Sequence, residues 1–137
     1  MPDHPQARQA LLAALLGAAV AAAPSASAQA LAGSWAGDRL QLVIDAGGGQ
    51  VQMDCASGSI AGPIKLGADG SFTAEGSFLP HQAGAQRANE GVAPLSARYT
   101  GEVRNDAMQL SILAAGATTP QLFMLRRGAK VKLIRCL

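Results

Sequence analysis

Beyond its first 28 residues the chain holds two cysteines, Cys55 and Cys136, and one histidine, His81. A single histidine excludes a His-rich metal centre, and H-E-x-x-H, G-x-S-x-G and phosphate-cradling G-x-x-x-x-G-K-[ST] patterns are all missing. Asp69-Gly70 lacks the flanking acids of a calcium loop and reads as a hairpin turn. No spacing marks a working pair among the carboxylates Asp38, Asp45, Asp54, Glu75, Glu90 and Glu102. The expectation is therefore a protein without catalytic residues, cofactor or metal. The remaining chemistry is thiol chemistry. Two cysteines in an exported chain read as a disulfide, which would enclose 80 residues and contribute about 4 kcal/mol in the chain-entropy picture. The rival readings, a reactive thiol or a two-cysteine metal site, find no neighbouring base or further ligand in the sequence.

Export is the expectation from the N-terminus. Arg8 precedes an uncharged Ala/Leu run of 14 residues (10–23), Pro24 interrupts it, and Ala26-Ser27-Ala28 and Ala28-Gln29-Ala30 offer small-residue cleavage sites. That order is a secretory signal peptide. The run is shorter than the roughly 20 residues of a spanning helix. The reading is a leader at 1–28, cut after Ala28 or Ala30, and one domain at 29–137. It implies a periplasmic or secreted protein without stable membrane insertion.

Composition narrows the partners. The 137-residue chain carries a net charge of +2, and its aromatics are one Trp, one Tyr and three Phe. That is too little of either charge or aromatic surface for a nucleic-acid binder. Arg126, Arg127, Lys130, Lys132 and Arg135 crowd the last segment, as an anion-facing surface or as the solvated face of a final hairpin.

Alternation of apolar and polar residues recurs throughout, with the period of a half-buried strand. It picks out Leu40–Ile44, Val51–Cys55, Ile60–Leu66, Phe72–Phe78, Ala97–Val103, Met108–Ile112, 121–127 and 130–137. Ala46-Gly47-Gly48-Gly49, Asp69-Gly70, Asn105-Asp106 and Arg127-Gly128 supply the turns. Eight strands at such spacing predict an all-β fold. The preferred form is a small eight-stranded up-and-down barrel, with a partly open barrel or sandwich as the alternative. The inward face mixes large side chains (Leu40, Leu42, Phe72, Phe78, Tyr99, Leu110) with small ones (Ala74, Gly76, Ala97, Gly101). Those small residues either interlock with the large ones or leave a pocket. The phase of the last strand stays open, since Val131, Leu133 and Arg135 share one face and Lys132, Ile134 and Cys136 the other. Residues 80–94 have no periodicity, and their His81, Arg87, Asn89 and Glu90 make either a solvated connector or a binding loop.

Gly33-Ser34-Trp35 opens the first strand after the leader, and Trp35 is the only tryptophan. This resembles the G-x-W motif of the calycins, the superfamily of lipocalins, fatty-acid-binding proteins and avidins. The resemblance implies a barrel closed at one end by Trp35 beneath a basic side chain from near the C-terminus, here Arg135. A Cys55–Cys136 bridge is similar to lipocalin disulfides that tie a strand to the C-terminal segment. The second lipocalin motif, T-D-Y, has no counterpart, and the short chain implies a shallow site near the barrel mouth. The alternative for Trp35 is a plain core aromatic.

Together these readings describe an exported, non-enzymatic binding protein for a small apolar or amphipathic ligand. Trp35, Arg87 and Tyr99 are its expected ligand contacts, with 80–94 as a lid. The alternative is a protein–protein module, such as an inhibitor of an exported hydrolase, and a structural envelope protein is third.

Overall fold

A computed structural model describes residues 17–19, 29–81 and 93–136. Apart from 17–19 the leader segment lies outside the described residues, as do Arg87, Asn89 and Glu90. Ten strands follow in chain order: β1 (Gln29–Ala30), β2 (Gly33–Gly37), β3 (Leu40–Asp45), β4 (Gly48–Met53), β5 (Ala56–Ala61), β6 (Lys65–Leu66), β7 (Ser71–Leu79), β8 (Leu95–Arg104), β9 (Ala107–Ala114) and β10 (Gln121–Arg127). Eight of them close into an antiparallel barrel in the order β2-β3-β4-β5-β7-β8-β9-β10, with β10 returning to β2. β1 and β6 form a separate two-stranded ribbon. This is the general architecture that the calycin resemblance implied.

The alternation works as expected. In β3, Leu40, Leu42 and Ile44 are buried while Gln41, Val43 and Asp45 face out. Phe72, Phe78, Ala97, Tyr99 and Leu110 join the same core, with Ala74 packed against it. Removing this apolar surface from water is the main force holding the sheet closed.

Four local expectations are corrected. Gly33-Ser34-Trp35 belongs to a strand of its own. It is separated from β3 by a two-residue turn in which Asp38 (φ 48°) and Arg39 (φ 60°) are both left-handed, as tight hairpins require. No glycine marks this turn, so the sequence hides it. The stretch from Ile60 to Leu66 is not one strand. The chain leaves the barrel after Ala61 at Gly62 (φ 68°), and β6 pairs with β1. Cys55 (φ 63°) lies in the β4–β5 turn rather than in a strand. Residues 130–136 form no strand. They run as a strap outside the barrel, with Ala129, Val131 and Leu133 half-buried and Lys130 and Lys132 exposed. The number of barrel strands still comes out at eight, because the hidden hairpin adds one and the strap removes one.

Because neighbouring strands alternate in direction, the turns at 38–39 and 54–55, residues 80–81 and 93–94, and the connection at 115–120 share one end, the Cys55 end. The opposite end carries turns 46–47 and 105–106 and the 62–70 connection. There Leu31 and Ile64 are buried in the core, tied by Leu31 N–H donating to the Ile64 carbonyl at 2.8 Å. The closing seam is short. β10 meets β2 in two register pairs, Arg126 with Ala36 and Arg127 with Trp35. Two further bonds lengthen it: Gly128 N–H to the Ser34 carbonyl (2.8 Å), and Met124 N–H to Asp38 Oδ2 (2.7 Å).

Candidate functional site

The two glycines at which the sequence left a pocket open, Gly76 and Gly101, are each closely approached by a neighbour. The Phe72 ring lies on its cross-strand partner Gly101, and a methyl group there would overlap it. At Gly76 the Ser59 carbonyl of β5 occupies the space a side chain would need. Tyr99 is fully buried, and its hydroxyl passes over Gly58 to donate to the Ser77 carbonyl at 2.6 Å. Burial pushes the phenol up to about 12, because a phenolate would have to give up its hydration. These glycines are points of close approach. Among the described residues no charged side chain is buried.

At the end opposite Cys55, Trp35 is fully buried and covered by Arg127, whose guanidinium carbon is 4.3 Å from the ring centroid. Arg127 Nη1 also donates to the Ala32 carbonyl (3.1 Å), and its Nε lies 3.7 Å from Asp106 Oδ1. One side chain thereby joins the indole, the segment entering β2 and the β8–β9 turn. The sequence reading gave this place to Arg135. Arg127 holds it because it continues the inward phase of Phe123 and Leu125, opposite Trp35 in register, whereas Arg135 lies on the strap. The Trp35 N–H is buried without an acceptor among the described residues.

At the Cys55 end lies an open groove of about 800 Å³ between the barrel rim and the strap. Met53, Ala56, Leu79 and Pro80 supply its apolar rim, and Val131, Leu133 and Ile134 the strap side. Gln41, Gln52, Ser57, His81 and Arg135 add polar groups, and both cysteines lie in its wall. Three anchors hold the strap. Cys136 is bonded to Cys55, with their Cα atoms 5.0 Å apart. The Ile134 N–H donates to Asp54 Oδ1 at 2.6 Å. Val131 and Leu133 turn toward the barrel. The other oxygen of Asp54 accepts Arg39 Nε from the β2–β3 turn. The Arg39 hydrogen bond, and then the Ile134 amide, hold the Asp54 carboxyl below the usual carboxylate range.

A smaller hollow of about 270 Å³ lies on the outer wall. Thr73, Thr100, Ser111 and Leu122 line it from four successive strands, each in register with the next.

Of the residues singled out from sequence, Trp35 and Tyr99 are interior, with the Tyr99 hydroxyl committed to Ser77. His81 and Arg135 meet in the groove with the disulfide. Arg87, Asn89 and Glu90 lie outside the described residues. Sequence reasoning missed Asp54, Gln52 and Arg127. Only Arg127 carried a signal, its phase within β10. Compared with protein-family models, curated proteins and solved structures, the chain matches none.

Proposed function

We propose that the protein is an exported, non-enzymatic binding protein whose small amphipathic ligand occupies the groove at the Cys55 end. The observation that carries this reading is the groove itself. At about 800 Å³ it falls within the roughly 300–1,000 Å³ of small-molecule sites. Its apolar rim faces five polar side chains that would orient a ligand, while Gly76 and Gly101 leave no room for an added methyl group. The outward faces of the barrel mix the polar Gln41, Gln50, Gln52, Thr73 and Arg98 with exposed Val43, Leu122 and Met124. Export and residence in the periplasm or outside the cell are part of the proposal, and an N-terminus at Gln29 or Leu31 on the mature protein would support it.

The close approaches at Gly76 and Gly101 favour a second reading, a protein–protein module that inserts a rim segment into the cleft of an exported hydrolase. Mass spectrometry of small molecules and proteins copurifying with the exported chain separates the two. A small molecule that is lost in Gln52→Trp, with the melting temperature unchanged, supports the first reading. A copurifying hydrolase, with no small molecule, replaces it with the second.

A further inference from the structure

The fold brings together three side chains that the sequence keeps far apart. Cys55 comes from the β4–β5 turn, His81 from just beyond β7, and Cys136 from the end of the strap. Their sulfur and imidazole nitrogen atoms all lie within 4.8 Å of one another. The histidine the sequence left unplaced is the further ligand that a two-cysteine metal site lacked. We propose that Cys55, Cys136 and His81 form a latent site for a thiophilic d10 cation, with Zn²⁺ as its probe, which fills when the disulfide is reduced.

The donor set suits such an ion. Two thiolates and an imidazole are a Cys₂His set, and three protein ligands leave a fourth position open to water or an incoming donor. Bond lengths of about 2.3 Å to sulfur and 2.0–2.1 Å to nitrogen place tetrahedral donors roughly 3.5–3.8 Å apart. Breaking the sulfur–sulfur bond lets the two sulfurs move to that separation, and His81 is already within reach. Access is open, since His81 and Cys136 are exposed and Cys55 is half-buried. The strap does not depend on the disulfide alone. The Ile134 amide is bound to Asp54, and Asp54 to Arg39, so the strap has contacts beside Cys55 that do not involve the sulfur–sulfur bond. Asp54 is committed to those partners, and the ligand set is therefore the three residues named.

A dithiol reductant supplies two electrons and two protons. The Cys55–Cys136 bond breaks, a disulfide forms in the reductant, and the protons end on the two cysteine sulfurs. Zn²⁺ then displaces both protons to solvent as it binds the thiolates. The oxidised protein has no thiolate to offer, so the same three residues are either a staple or a cation site. The inference does not rest on the ligand reading above, although the residues line the same groove.

The test is titration of the reduced full chain with Zn²⁺ against a chromophoric competitor, alongside Co²⁺ titration followed by the sulfur-to-cobalt charge-transfer band. The expected result is one ion per reduced chain, none per oxidised chain, and four-coordinate Co²⁺ absorption. Losing only an outer partner of a metal ligand costs roughly 10–100-fold in affinity, so His81→Ala should weaken Zn²⁺ binding by at least about tenfold. The double variant Cys55→Ser/Cys136→Ser should bind none, and circular dichroism of it reports whether the barrel persists without the bridge. Absence of stoichiometric binding by the reduced chain overturns the proposal, as does unchanged affinity in His81→Ala. If reduction unfolds the chain, Zn²⁺ should restore the β-sheet spectrum, and failure to do so equally overturns it.

Discussion

The guanidinium of Arg127 lies 4.3 Å above the centroid of the Trp35 indole, joining the first and last strands of the barrel across the closing seam. A cation over an aromatic face contributes about 0.5–2 kcal/mol. Arg127→Ala should destabilise the fold by about 1 kcal/mol on that basis. Because Trp35 is the only tryptophan, its fluorescence reports the change directly. The emission should shift in Arg127→Ala and stay put in Arg135→Ala, and the opposite pattern would return the covering role to Arg135.

The glycine contacts predict a core that resists enlargement. Gly76→Ala and Gly101→Ala should each cost about 1–3 kcal/mol through overpacking, read as a lower denaturation midpoint. Gly47→Ala, whose added carbon would meet nothing nearer than the Asp45 side chain at 3.4 Å, should change little. Unchanged stability in both core variants would mean that the interior holds usable space.

Tyr99 sets an alkaline limit. Its phenol stays protonated in the folded state up to about 12, whereas an unfolded tyrosine ionises near 10 (roughly, as in model peptides). Its contribution is therefore constant below the unfolded value and is lost as pH rises from there toward about 12. Equilibrium unfolding between these values should show stability falling with pH. In Tyr99→Phe that slope should flatten, while the Ser77 carbonyl loses its donor and the variant starts from lower stability.

Asp54 sets an acid limit for the strap. Its carboxyl is held below the ordinary range by Arg39 and the Ile134 amide, so its contribution is full above the unfolded value and is lost as pH falls through the lowered folded one. Hydrogen exchange of the Ile134 amide, corrected for intrinsic rates, should accelerate at acid pH. Asp54→Asn should be insensitive to pH over the same interval, and equal behaviour of the two proteins would remove Asp54 from the anchor.

Reduction of the Cys55–Cys136 bond, in metal-free buffer, should lower the melting temperature clearly. Loss of a native bridge from a small domain typically costs about 2–5 kcal/mol. An unchanged melting temperature would show that the Asp54 contacts and the apolar side of the strap hold it alone.

The parts of the fold legible in the sequence are those where one side chain in two must be buried. Leu40, Leu42 and Ile44 alternate with Gln41, Val43 and Asp45, and one face of that pattern fits only a packed interior. The Asp38-Arg39 turn was not legible, because its left-handed residues are not glycines and are held by partners distant in sequence, Met124 and Asp54. The strap misled for a related reason. Residues 129–133 keep a period of two because one side rests on the barrel, and the pattern does not say whether a ladder of backbone hydrogen bonds accompanies it. The groove was illegible as well, since its walls come from Gln41, Ser57, Leu79 and Val131, which only the closed barrel brings together.

The seam between β10 and β2 also orders events in time. Six register pairs join β10 to β9, but only two join it to β2. Each of the other barrel ladders joins consecutive barrel strands, whereas Trp35 and Arg127 are brought together only after nearly the whole domain has been threaded between them. Non-local pairings incur their loop-closure entropy before any contact rewards it, so such a ladder nucleates slowly. The expected order is therefore hairpins first, with the β10–β2 seam closing after them. A seam that closes after the folding transition state predicts that substitutions at Arg127 speed unfolding and leave the folding rate almost untouched, whereas slowed folding would place the seam within that state.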